Sequence, residues 1–445
     1  MMALANVSKI LNGQLSGHNV EFTTVSIDTR KIQKGDLYIA IQGASFDGHD
    51  FIDQAAKSGA VAAIVHKNVV TQLPTIKVED TRKALGQLAA AWRKAFNGKV
   101  VAITGSNGKT TVKEMVSAIA SEHGGVVATQ GNFNNDIGLP LTLLRMQQEE
   151  VAVIEMGANH KGEIANLTAI TQPDIVLINN AAQAHLEGFG SLNGVAEAKG
   201  EILAGLSCDG IAVINKDDTY SSYWQGLAAL KKIITFSMRD KTANVYGEWT
   251  TTETGGKLSV SLQGIKINIC LNVFGLHNAM NALAAIGIAQ ALEIKHEHII
   301  NGLAAFVAVK GRLNVHQVNE NLTVIDDTYN ANPDSLLAAI HVLIKIPGQH
   351  WLVLGDMGEL DDEKQVHIDA GKNARNSGIT RLLAIGKASR YAADAFGDNA
   401  QYFDTKNALV NFIKQHQSEN LRILIKGSRF MQMEQIVDSL TKEKN

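Results

Sequence analysis

The stretch Thr104-Gly105-Ser106-Asn107-Gly108-Lys109-Thr110-Thr111 is entered from the apolar run Val100-Val101-Ala102-Ile103 and followed by a helix-like segment. It reads as a phosphate cradle. Glycines let backbone N–H groups approach phosphate oxygens, the following helix points its positive end at them, Lys109 can reach the terminal phosphates and the Thr110 hydroxyl can hold Mg²⁺. Only the GxxGKT half of the standard pattern is present, because Ile103 stands where the first glycine belongs. A strand before and a helix after favour nucleotide binding over an ordinary strand-to-helix turn.

Composition bounds the partners. In 445 residues, 41 Lys and Arg face 44 Asp and Glu, a slightly acidic balance that argues against an extended nucleic-acid surface and leaves room for a local anion site. Cys208 and Cys270 form no metal-ligand spacing, so a reducing compartment and ordinary buried thiols without a bridge are expected. No apolar run is long enough to cross a bilayer and the first residues lack a secretory pattern, so a soluble, cytoplasmic protein without membrane insertion is expected.

Upstream of the cradle, Phe22 to Ile27 and Leu37 to Ile41 read as strands joined by a turn, Phe51 to Ser58 as a helix and Val61 to Val65 as a short strand. Asn97-Gly98 is a turn signal, which sets a first domain at 1–98. From Lys99 the apolar runs Val100 to Ile103, Val151 to Ile154, Ile175 to Ile178 and Ile211 to Ile214 suit a parallel sheet covered on both faces. Strict alternation between Leu258 and Leu271 adds an antiparallel hairpin, and Asn278 to Leu292 an Ala-rich helix, within a second domain at 99–310. A third, 311–445, alternates strands (Thr323 to Ile325, Trp351 to Leu354, Leu382 to Ile385, Ile423 to Ile425) with helices. The expected fold is therefore α/β in three domains, with a phosphate-loop-containing, mostly parallel central sheet and a doubly wound, Rossmann-like C-terminal domain.

Several polar residues fall at strand ends, where open parallel sheets present ligand-binding groups. Glu155 closes the strand after the cradle and is either a Mg²⁺ carboxylate or a solvated acid. His185 follows the next strand. Lys199 lies in a helical segment, Ser191 to Leu206, and on the residues alone reads as a solvated surface lysine. Asn215-Lys216-Asp217-Asp218 imitates the guanine-reading NKxD, but no DxxG precedes it after Thr111, so it reads as a polar strand end facing the cleft. Asn278 and Asn281 share one helical face, either as a helix cap or as a pair reading an adenine edge. Turns at Lys310-Gly311-Arg312, residues 326–335, residues 354–359 and residues 426–429 outline a second ligand-facing surface.

Taken together, these strings resemble the Mur ligase family across essentially the whole chain. TGSNGKTT, the Glu155 strand, the His185 turn, EAKGE, GLHNAMNALAA and KGR stand in that family's order, and DDTYNANPDS, LGDMGEL and GNFNNDIGLP are similar to its dipeptide-adding branch. The resemblance implies an ATP-dependent ligase of peptidoglycan precursor synthesis, joining D-Ala-D-Ala to UDP-N-acetylmuramoyl-tripeptide through an acyl phosphate. It implies ATP contacts from Gly105, Ser106, Asn107, Gly108, Lys109, Thr110 and Thr111, with His277, Asn278, Asn281, Arg312 and Asp327 at adenine, ribose or phosphate. It implies two Mg²⁺ sites, one with Thr110 and Glu155 and one with His185 and a carbamylated Lys199, so that Lys109, Lys199 and His185 are the catalytic set. Ser26, Thr29 and Arg30 match the UDP-contacting segment, with Thr29 standing where the family usually has Ser, and Asn134 and Asn135 match the loop that faces the muramyl-peptide. The C-terminal domain would close over ATP and bind the incoming amine, and a monomer is expected.

Overall fold

The computed structural model describes residues 2–43, 45–182, 186–252, 255–262, 264–360 and 362–442. Its centre is a nine-stranded sheet among the described residues. Alternate side chains of strand Lys99–Thr104 enter different cores, Val100 and Ala102 on one face and Val101 and Ile103 on the other. That is why its sequence is an unbroken apolar run: both faces are covered. Strands Val151–Glu155 and Ile175–Ile178 flank it in parallel, so the chain leaving Thr104 emerges between two neighbours to which the sheet extends in opposite directions. Such a switch point opens a crevice at the strands' carboxyl ends.

The hairpin expected between Leu258 and Leu271 forms strands Gly255–Leu262 and Ile265–Leu271, antiparallel at the sheet's edge. Ile265 departs from the inward row and is 52% exposed, because it lies at the tip. Strands Val126–Ala128, Lys232–Ser237 and Val245–Thr252 have no counterpart in the sequence reading. Val245–Thr252 carries Glu248 and a run of threonines where an apolar run would have marked it.

The C-terminal sheet runs Asn314–Gln317, Leu322–Asp327, Leu421–Lys426, Gln349–Gly355, Arg381–Ile385, Ala400–Phe403, with only the first strand antiparallel to its neighbour. Leu352 and Leu354 pack on one face and Trp351 and Val353 on the other, the signature of a doubly wound layer. The N-terminal sheet has, among the described residues, five short strands drawn from residues 14–77. Helix Thr81–Ala95, capped by the Asp80 carboxylate, buries Leu85, Leu88 and Ala89 in one apolar cluster with Leu37 and Ile64 of the N-terminal sheet and Ile154 and Ile178 of the central sheet. One core thus spans two units.

Candidate active site

Gly105 to Gly108 form the turn between strand Lys99–Thr104 and helix Lys109–Ser121. Gly108 has φ +81°, and a Cβ there would come within 2.3 Å of Asn281 Oδ1 and 2.6 Å of Asn179 Nδ2, so glycine is required on both counts. Neighbouring amides hold the loop: Asn180 Oδ1 accepts from the Asn107 N–H at 2.8 Å, and Asn179 Nδ2 donates to Asn107 O at 2.9 Å and Asn281 Oδ1 at 3.0 Å. Lys109 Nζ folds back on the Gly105 and Ser106 carbonyls at 2.6 and 3.2 Å. Burial, with the Arg312 cation beside it, lowers the Lys109 pKa against the opposing pull of Glu155. That is the setting of a cation held ready for an anion.

The loop opens into a cleft of about 810 Å³ whose opposite wall belongs to the C-terminal domain. In the first turn of the following helix Thr110 Oγ1 donates to Glu155 Oε2 at 2.9 Å, and Asn134 Nδ2 donates to Oε1 at 2.8 Å. Glu155 is 2% exposed. A hydroxyl and a buried carboxylate meeting beside a phosphate loop are hard oxygen donors, the set that Mg²⁺ takes together with phosphate oxygens and water. Among the described residues no group of three or more His, Cys, Asp or Glu could hold a metal by itself. Across the cleft Arg312 Nη2 donates to Thr110 Oγ1 at 3.0 Å, its guanidinium lies 4.2 Å from the Tyr329 ring centre, and its buried Nε has no partner among the described residues. Asn332 Nδ2 reaches Asn107 Oδ1 at 2.9 Å. Asp327 is paired with the buried Lys426 at 2.5 Å, and Lys426 also donates to Asn330 O at 2.9 Å.

Residues 103–289 match the family described as Mur ligase middle domain. A UDP-N-acetylmuramoyl-tripeptide--D-alanyl-D-alanine ligase of Escherichia coli (strain K12) is 43% identical over 448 residues, spanning 99% of this chain and 98% of its own. The chain belongs to the Mur ligase family. Residues 21–93 and 311–429 match that family's catalytic-domain and glutamate-ligase-domain descriptions. A crystal structure of MurF from Acinetobacter baumannii aligns with TM-score 0.92 at 34% identity over 99% of this chain and 98% of its own. The MurF ligase from Thermotoga maritima, solved in complex with ADP, aligns with TM-score 0.85 at 27% identity over 94% and 97%. The three-domain α/β fold is shared.

In this Mur ligase the cleft brings together Ser106, Asn107, Gly108, Lys109, Thr111, Asn134, Asn135, Glu155, His277, Asn278, Asn281, Arg312 and Asp327. The asparagine pair is already engaged: Asn278 Nδ2 donates to Phe274 O at 2.9 Å, and Asn281 braces the loop through Asn179. Burial and the nearby Lys426 cation push His277 down to about 4 despite Asp327, so it is a neutral ring at pH 7. Lys199 corrects its surface reading. It is 1% exposed in the last turn of helix Leu192–Gly200, with its ammonium 5.2 Å from the Phe189 ring centre. Burial, reinforced by the Lys109 charge, brings it down to about 7. His185 lies outside the described residues.

Asn215, Asp217 and Asp218 do not face the cleft as expected; their side chains are spent on loops. Asn215 Nδ2 donates to Asn179 O, Asp217 accepts from Ser237 and the Met238 N–H, and Asp218 from the Ala181 and Tyr220 N–H groups. Ser26, Thr29 and Arg30 stand apart from the cleft lining. Arg30 grips Asp28 through two contacts of 2.9 Å at the surface, and Ser26 Oγ donates to Asp28 O at 3.1 Å. The sequence reading missed Arg82, Tyr329 as a platform and Lys426 as the partner of Asp327. Lys426 sat in a strand-end string it had singled out, whereas Arg82, in the first turn of a capped helix, carried no signal.

Proposed function

We propose that this chain joins D-Ala-D-Ala to UDP-N-acetylmuramoyl-tripeptide, cleaving ATP to ADP and phosphate, as a cytoplasmic monomer of peptidoglycan precursor synthesis. The observation that carries the reading is the cleft itself: a braced phosphate loop and a buried carboxylate on one wall, Arg312 and the Asp327–Lys426 pair on the other. The likeness to the Escherichia coli and Acinetobacter proteins supplies the substrates.

The tripeptide carboxylate attacks the γ-phosphorus, the bond to the ADP oxygen breaks, and an acyl phosphate forms; the dipeptide's free amine then attacks the acyl carbon, phosphate leaves and the amine loses a proton. Both steps bring charge or a weak nucleophile to a crowded anion, so positioning and compensating cations carry the catalysis. Lys109 leaves its loop carbonyls for the phosphates, and Arg312 neutralises charge from the opposite domain. Asn278 and His277 take the adenine end and Asp327 the ribose. Thr110 and Glu155 would hold one Mg²⁺, which, when bound, shields the phosphate oxygens from the approaching carboxylate. Domain closure excludes water from the acyl phosphate. Arg30, Ser26 and Thr29 take the UDP end, with Asn134 and Asn135 toward the peptide. Domains at 1–98, 99–310 and 311–445 divide the three ligands among them.

Lys199 completes the reading as a carbamate, with His185, at a second Mg²⁺. An amine whose pKa is brought down to about 7 is substantially neutral at physiological pH. It can add CO₂, forming an N–C bond and releasing one proton, which turns a buried cation into the anion a metal site requires. Incubation with ATP, Mg²⁺, UDP-N-acetylmuramoyl-tripeptide and D-Ala-D-Ala, read by mass spectrometry, tests the reading. Pentapeptide with matching ADP is expected, and ADP without amide product would overturn it.

A further inference from the structure

We infer that Arg82 is a positioning residue that ties the N-terminal domain to the carboxylate at the nucleotide–metal corner. The tie runs through one short loop, residues 129–136. At its far end Arg82 forms a two-point pair with Asp136: Nη2 lies 2.6 Å from Oδ1, and Nε donates to Oδ2. Both residues line the cleft. In its middle Asn134 donates to Glu155 Oε1 at 2.8 Å, while the Asn134 carbonyl accepts from the Gly157 N–H at 2.9 Å. At its near end Thr129 Oγ1 accepts from the Glu155 N–H at 2.9 Å, and the buried Lys113 donates to Thr129 O at 2.6 Å.

The loop can transmit a position because it is compact. Asn135 Oδ1 accepts from the Ile137 and Gly138 N–H groups, and a Cβ on Gly138 would come within 2.4 Å of the Phe133 backbone. Asn134 and Asp136 therefore move together. Arg82 is equally fixed at its root. Its N–H is capped by Asp80 at 2.8 Å, and the adjacent Thr81 hydroxyl donates to Ala40 O of the N-terminal domain at 2.9 Å. Lys31, next to the proposed UDP segment, adds a second tie, with its ammonium 5.9 Å from the Phe133 ring centre. A guanidinium suits the role because its planar fork fixes direction as well as distance. A shift of the N-terminal domain on loading its substrate thus reaches Glu155 through Arg82, Asp136 and Asn134, and substrate occupancy and metal affinity are coupled.

The inference rests on Glu155 being the metal carboxylate, and the test separates the two. Mn²⁺ is titrated into the ADP-loaded, full-length protein and followed by electron paramagnetic resonance. Arg82→Ala and Asp136→Ala should each weaken Mn²⁺ binding by about threefold to fivefold, the range of a partly exposed but well-oriented pair. The double variant should be no weaker than either single one. Arg82→Lys, which keeps charge and loses the fork, should fall between. Thermal unfolding of each variant checks that the fold persists. Unchanged Mn²⁺ affinity in both single variants, or additive losses in the double, overturns the tie. So does a rise in KM for the UDP-linked substrate in Arg82→Ala that Asp136→Ala does not share, since Arg82 would then be touching substrate itself. If Glu155→Gln leaves Mn²⁺ binding unaltered, the reading of the metal corner fails instead.

Discussion

The phosphate loop and the segment 26–30, proposed to take the UDP end, differ in how far each is built before a ligand arrives. Around Gly105 to Thr111, Asn179, Asn180 and Asn281 fix the backbone and Thr110 already meets Glu155. At 26–30 the one charged side chain that could grip a diphosphate, Arg30, is exposed and held by Asp28 two residues away. At the first site the backbone is already set, and Lys109 exchanges its loop carbonyls for phosphate. The second must exchange one carboxylate partner for another anion. Interior bracing suits a site whose chemistry demands fixed geometry, and a surface pair suits one that captures and releases a large substrate.

The largest effects should come from the braced side. Lys109→Ala and Glu155→Ala should each lower kcat by about 10²- to 10³-fold, as losses of transition-state charge compensation do. Steady-state kinetics at saturating substrates checks this, and a variant within tenfold of the parent would remove that residue from the chemistry. Lys199→Ala should lose about 10- to 100-fold while still binding ADP, with formate restoring part of the rate. The parent's rate should also fall as pH drops below about 7, because the protonated amine cannot add CO₂. A pH profile that is flat from 8 to 6 with bicarbonate present speaks against the carbamate.

On the surface side Arg30→Ala should raise KM for the UDP-linked substrate by about tenfold, the worth of one charge-assisted hydrogen bond. Calorimetry should find ADP affinity and melting temperature unmoved. A matching loss of ADP affinity would erase the contrast between the two regions. The smallest effect concerns His277. Its pKa is about 4 in the folded chain against the ordinary imidazole value of 6.5, so the unfolded chain binds more protons between those limits. The contribution to stability is complete above about pH 6.5 and is lost as pH falls through about 4. Melting curves of His277→Gln should therefore decline less steeply across that window than those of the parent, and parallel curves would exclude His277 as a source of the acid limb.

How legible each part was follows the same division. The central strands could be read because burial on two faces forces continuous apolar runs, and the phosphate loop because glycine and lysine have local jobs. The strand Val245–Thr252 could not, since half of its residues face water. Strings such as EAKGE and DDTYNANPDS led to the family, yet Lys199 looked like any helical lysine until the fold buried it. Arg82 and Asp136 are 54 residues apart, and nothing local to either marks the pairing. Contacts across domains depend on topology, which short-range pattern does not encode.

The apolar cluster shared through helix Thr81–Ala95 restricts what recombination can do with this enzyme. Exchanging the first domain for that of a relative with a different acceptor would leave Leu85, Leu88 and Ala89 against foreign partners, or strip the cover from Ile154 and Ile178. An exposed apolar face of that kind invites aggregation. A functional chimera must carry the helix together with the central residues it covers.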